Sequence, residues 1–132
     1  MPITKTHITD KNYNQKVIQI DRPFVMVFSR KVCPYCRTVE NYFDMIQNEY
    51  PMIEIFFVKS EDSPNLISKF QIRTAPVTYY FNQNKVRSSV MTGAGSIKLI
   101  RNRLDKINIP LEKKPTFIQK VKGAIYDKNK AI

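Results

Sequence analysis

The sequence predicts an α/β domain in which a central mixed sheet of about five strands is flanked by helices and followed by a basic C-terminal extension. Three observations predict it. Two short apolar runs, Phe24–Phe28 and Ile53–Val58, have the length and the β-branched and aromatic content of strands buried on both faces. Segments with apolar residues at 3–4 spacing alternate with these runs, as in a layered sheet-and-helix domain. A later pair of β-prone runs around Asn82-Gln83-Asn84 reads as an antiparallel hairpin, which makes the sheet mixed rather than purely parallel.

The element order is β-α-β-α-β-α-β-β-α. Ile3–Ile8 is short and β-prone. Thr9 or Asp10 is placed to cap a helix over Lys11–Ile18, with Tyr13, Val17 and Ile18 on one face. After the strand Phe24–Phe28 comes Cys33-Pro34-Tyr35-Cys36, and then Val39, Tyr42, Phe43, Ile46 and Tyr50 in one apolar stripe that ends before Pro51. Pro34 suits the first turn of that helix, where a missing N–H has no consequence. Ile53–Val58 is the second central strand. Ser63 is expected to cap a short helix with Pro64 at its first position and Leu66, Ile67 and Phe70 on its apolar side. Pro76–Phe81 and Lys85–Met91 form the hairpin, with Tyr79 or Tyr80 facing outward as a candidate lining of a substrate groove. Gly93-Ala94-Gly95-Ser96 breaks the chain. Ser96 caps a last helix carrying Ile97, Ile100, Leu104 and Ile107, and Pro110 stops it. The division expected is a domain over 1–109 and a basic tail over 110–132, where Phe117, Val121 and Ile125 fall at the spacing of one weak amphipathic helix.

Composition narrows the chemistry. A chain of 132 residues allows one domain, and 42% hydrophobic with 25% charged residues is a globular balance. Two Cys exclude a disulfide scaffold, and with one His they cannot supply a four-ligand Cys/His zinc site, so no metal is expected. No apolar run approaches the length of a membrane span, and Met1–Gln15 has no apolar stretch of the signal-peptide kind. A reducing, cytoplasmic setting is expected, where a lone C-x-x-C is more often catalytic or metal-binding than structural. The net charge of +11 divides unevenly: residues 1–97 carry 12 basic and 8 acidic side chains (+4), residues 98–132 carry 10 and 3 (+7). The excess in the last quarter points to an acidic partner or an anionic surface, or simply to solubility. Nucleic-acid binding would rest on charge alone and is not expected. A monomer is expected.

The C-x-x-C falls where a buried strand meets a helix, which places Cys33 at the helix N-cap and Cys36 one turn in. Backbone N–H groups and the positive end of the helix dipole stabilise a thiolate on Cys33, and Arg30, Lys31 and Arg37 act in the same direction. A thiol of pKa ~8.5 is about 3% thiolate at pH 7, whereas one near ~6 is about 90%. Cys33 is therefore the expected nucleophile and Cys36 the resolving thiol, which attacks the mixed disulfide formed at Cys33. The plain alternative is a pair of buried apolar cysteines without chemistry.

These residues resemble the thioredoxin superfamily over roughly 3–108. Thr6–Asp10 followed by Tyr13, Val17 and Ile18 resembles the opening strand and helix of thioredoxins, which glutaredoxins lack. Ile72-Arg73-Thr74-Ala75-Pro76-Val77-Thr78 resembles the loop that carries the family's cis-proline, and Pro76 lies 43 positions after Cys33 (76 − 33), as in a thioredoxin. Thr92-Gly93-Ala94 resembles the glycine turn opposite the active site. The segment Val27–Cys36, with its Cys-Pro-Tyr-Cys, is similar to glutaredoxins instead, and Arg30 stands where a basic glutathione-contacting residue lies. Where thioredoxins have a Trp before the first Cys, this chain has Val32. Their buried Asp corresponds to Val27, and the Lys that partners it falls near Phe57. The glutaredoxin Gly-Gly-Asp segment has no match, since Gly93-Ala94-Gly95-Ser96 supplies only the glycines.

The resemblance implies a thiol–disulfide oxidoreductase acting on protein thiols and disulfides through Cys33 and Cys36. Arg30, Pro34, Tyr35, Thr74, Ala75, Pro76 and Gly93 are its expected substrate contacts. A cis bond at Pro76 would turn the backbone of Ala75 toward Cys33, where it can pair with an extended substrate strand. No cofactor is expected beyond the redox-active Cys33–Cys36 disulfide, and the electron donor is a reductase or glutathione. The competing reading is an accessory module that docks a partner with little turnover.

Overall fold

The computed structural model describes residues 6–108. Five strands form one sheet in the order β1-β3-β2-β4-β5. They are β1 (Thr6–Ile8), β2 (Phe24–Ser29), β3 (Glu54–Lys59), β4 (Val77–Phe81) and β5 (Arg87–Thr92). β1 and β2 both run parallel to β3, whereas β4 is antiparallel to β2 and to β5. The mixed sheet and its flanking helices are thus as the sequence predicts. Residues 3–5 of the expected first strand and the whole expected tail helix lie outside the described residues.

Side-chain alternation along the central strands builds two cores. Val25 and Val27 of β2 and Ile55 and Phe57 of β3 face the helices α1 (Pro34–Ile46) and α3 (Ile97–Ile107), where they meet Val39, Phe43, Ile46, Ile100, Leu104 and Ile107. Phe24, Met26, Phe28, Phe56 and Val58 face the other way, onto Ile8, Val17 and Leu66. All six residues of β2 are buried, which is why its sequence shows a continuous apolar run rather than alternation. The helix α2 (Pro64–Lys69) covers the second face.

The first expected helix shrinks to a single π-helical turn over Asn14–Ile18. Local side-chain bonds compete with it. The Asn12 carboxamide accepts from Thr9 N–H at 2.8 Å and donates to the His7 carbonyl, while Thr9 Oγ1 accepts from Lys11 N–H. Neither Thr9 nor Asp10 caps that turn. Asp10 instead caps α2: its two carboxylate oxygens accept from Asn65 N–H at 3.0 Å and Leu66 N–H at 2.9 Å. Ser63, expected in that role, makes no capping bond, and its buried hydroxyl donates to the Ile8 carbonyl. Tyr79 and Tyr80 both turn into the fold. Tyr80 is fully buried, and Tyr79 packs edge-on against Phe28 and Phe70 and donates its hydroxyl to the Phe70 carbonyl. Neither is left to line a groove, because both faces of β4 are covered.

Candidate active site

β2 ends at Ser29, and five residues later α1 begins. Cys33 is the N-cap of α1 with an extended backbone, and its Sγ accepts the Cys36 N–H at 3.2 Å. The two cysteines form a disulfide across a Cα–Cα distance of 5.2 Å. Their surroundings differ. Cys33 is half-buried, whereas Cys36 is 1% exposed, on the face of α1 that also carries Val39 and Phe43. Attack from outside can therefore reach Cys33 and not Cys36. Pro34 occupies the first turn, and Pro34 and Tyr35 are both exposed beside the disulfide. Val32, at the position before the first cysteine, is 90% exposed.

The register of the sheet brings the other predicted residues to the same end. Val77 pairs with Phe28 on one side and with Thr92 on the other, so the Thr74-Ala75-Pro76 loop and the Gly93 turn flank the end of β2 that leads to Cys33. The Ala75–Pro76 bond is cis. Pro76 is buried, Ala75 half-buried and Thr74 exposed. Gly93 N–H donates to the Pro76 carbonyl at 2.9 Å, which ties the two turns together. Gly93 takes a φ of +84°, a left-handed backbone that a side chain would strain at the exit from β5. Arg30 is exposed on the loop between β2 and Cys33.

The fold adds charges that the local sequence did not reveal. Lys31 was expected to act on Cys33, but its ammonium pairs with Asp62 at 3.3 Å, and its backbone N–H donates to both Glu61 carboxylate oxygens at 3.2 Å. The loop before Cys33 is thereby pinned to the 3-10 turn Ser60–Asp62, and the Lys31 ammonium is turned onto Asp62. Four residues after Cys36, Glu40 of α1 meets Lys59 at the end of β3 at 2.9 Å and accepts from the hydroxyl of fully buried Ser29 at 3.3 Å. The signal for Glu40 was a lone carboxylate interrupting an apolar helix face, four residues after Cys36. Among the described residues, no group of three or more His, Cys, Asp or Glu side chains is placed to hold a metal, and no helix is long and apolar enough to cross a membrane.

Comparison with known proteins matches this arrangement. The family model described as Thioredoxin matches residues 4–106. The chain is 28% identical to the thioredoxin of Porphyra purpurea over 102 residues, covering 76% of this chain and 94% of that one. It is 27% identical to thioredoxin 1 of Synechococcus elongatus over 100 residues, covering 75% and 92%. A chloroplastic M-type thioredoxin of Pisum sativum matches at 26% identity over 64% of this chain and 49% of its own. Among solved structures, the thioredoxin of Malassezia sympodialis superposes with a TM-score of 0.70 at 16% identity, covering 83% of this chain and 96% of that one.

Proposed function

The chain belongs to the thioredoxin family and is a thiol–disulfide oxidoreductase, and on that premise we propose that it exchanges disulfides of protein substrates in the cytoplasm through its Cys-Pro-Tyr-Cys dithiol, with no bound cofactor. The observation that carries this reading is the asymmetry of the pair: a half-buried Cys33 at a helix N-terminus backed by a buried Cys36. In the reduced state the Cys33 thiolate attacks one sulfur of a substrate disulfide. A Cys33–substrate bond forms, and the other substrate sulfur leaves as a thiolate. Cys36 then attacks Cys33 Sγ, the internal disulfide closes, and the second substrate sulfur leaves. Two electrons pass to the substrate, and a reductase dithiol or glutathione returns them.

Substrate chain lies against the exposed side chains of Val32, Pro34 and Tyr35 and pairs with the backbone of Ala75, between Arg30 and the Thr74-Ala75-Pro76 loop. The Pro34-Tyr35 dipeptide, shared with glutaredoxins, favours a potential more oxidising than ~ −270 mV and nearer roughly −200 to −230 mV. The six Lys against two acidic residues over 111–132 favour contact of that segment with an acidic partner or anionic surface. Reduction of insulin by the chain in the presence of dithiothreitol tests the reading: turnover is expected, with loss in Cys33→Ser. A chain that reduces no insulin yet binds protein partners would be a docking module instead.

A further inference from the structure

Glu40 is a carboxylate in a place where a charge needs a reason. Its side chain is 13% exposed and that of Lys59 is 25%, so the pair is mostly withdrawn from water. Burial of an ion pair gives little net stability by itself, because desolvation offsets the attraction. The position is informative. Glu40 follows Cys36 by four residues on α1, so the two side chains stand on one helix face a turn apart, and helical side chains lean toward the N-terminus, here toward Cys36. The partners that fix the carboxylate, Ser29 and Lys59, are register partners at the ends of β2 and β3, the end of the sheet where the disulfide sits. The carboxylate is thereby held at that end of the sheet, one turn of α1 from buried Cys36.

We propose that Glu40, oriented by Lys59 and Ser29, is the proton acceptor for Cys36 when the mixed disulfide is resolved. The inference rests on the oxidoreductase reading above. With Cys33 bonded to substrate sulfur, the Cys36 S–H proton passes to the Glu40 carboxylate, directly or through one water. Cys36 Sγ bonds to Cys33 Sγ, the Cys33–substrate bond breaks, and the substrate thiolate leaves and takes a proton from the now neutral Glu40 or from solvent. Lys59 holds the Glu40 carboxylate in place between turnovers. The other charges around the site are Arg37 and Asp44 on α1 and Arg30 after β2, all exposed, Arg73 before β4, and Lys31, Asp62 and Glu61, which are tied to one another. None of these is held at the β2 and β3 ends as Glu40 is.

The test uses the full chain. With Cys36 as the lone thiol in Cys33→Ser, thiolate absorbance is titrated with and without Glu40→Gln and, separately, Lys59→Met. Removing the anion is expected to lower the Cys36 pKa by about one unit, and removing the cation to raise it by a similar amount. A merely loosened core moves both in the same direction. With both cysteines present, the rate at which Cys36 releases a coloured thiolate from a Cys33 mixed disulfide should rise about tenfold per pH unit below the Cys36 pKa in Glu40→Gln, following free thiolate alone, and should depend less steeply on pH in the unaltered chain and in Glu40→Asp. Shifts of equal sign, no shifts, or an unchanged pH dependence of release overturn the proposal. Insulin turnover of the unaltered chain reads the oxidoreductase function separately, so the two failures are distinguishable. If Glu40→Gln does not fold, the Lys59→Met arm decides alone: a Cys36 pKa that does not rise overturns the proposal.

Discussion

Val27 and Phe57 are register partners on the adjacent strands β2 and β3, and each is 0% exposed. These are the two positions where the family resemblance places a buried Asp and its Lys. Both are apolar here and pack into the core beneath α1, so this layer of the core is hydrocarbon at both positions.

Val27→Asp is expected to destabilise the fold by about 3–5 kcal/mol at neutral pH, because Phe57 offers no counter-charge. The aspartate would titrate well above its usual ~3.9. A carboxyl with a raised folded pKa favours the fold when protonated, so the loss should be small in acid and grow as pH rises toward the folded pKa. Urea midpoints measured across pH check this. A loss independent of pH would mean that the carboxylate reaches water.

Asp10→Ala should cost about 1–2 kcal/mol, since two N–H groups at the start of α2 lose their acceptor. Ser63→Ala should leave those N–H groups bonded and cost less. Guanidinium unfolding of the two variants ranks them. The opposite ranking would return the capping role to Ser63.

Tyr50 donates its hydroxyl to Asp105 at 2.7 Å and so joins the end of α1 to α3. Burial first, and the bond to Asp105 second, push the Tyr50 pKa up to about 12 from an ordinary 10. A raised folded pKa means that this contribution is intact below the unfolded value near 10 and is lost as pH rises toward about 12. Alkaline unfolding should therefore steepen between those values in the unaltered chain and less so in Tyr50→Phe. The phenylalanine variant should lose about 1 kcal/mol at neutral pH. Equal alkaline profiles would remove Tyr50 from the transition.

A chain ended after Pro110 should keep its insulin turnover, since α3 closes at Ile107, the last core residue among the described residues. Salt-sensitive binding to anionic vesicles or to an acidic protein should be lost with the segment. Loss of turnover on truncation would place residues beyond 110 in the redox domain.

Features with a local cause are legible in the sequence. Cys33 and Ser96 each cap their own helix from the adjacent position, and the Sγ and Oγ acceptors lie three residues from the N–H they receive. The all-apolar run of β2 marks a strand covered on both faces whichever partners cover it. Features set by a bond that spans the chain are not legible there. Asp10 finds Asn65 of α2, 55 residues on, only once β1 lies beside β3. The charge on Lys31 is spoken for by Asp62 only once the turn after β3 is folded against the Cys33 loop. Glu40 was visible as a break in an apolar stripe, but its meaning depends on Lys59 and Ser29, which three different elements bring together.

The order of attack, Cys33 first and Cys36 second, is tested most directly by limited alkylation of the reduced chain at about pH 6, where only an acidified thiol is substantially ionised, followed by peptide mapping. The expected result is label on Cys33, with Cys36 protected by its burial. Label that falls first on Cys36 would contradict the assignment of nucleophile and resolving thiol.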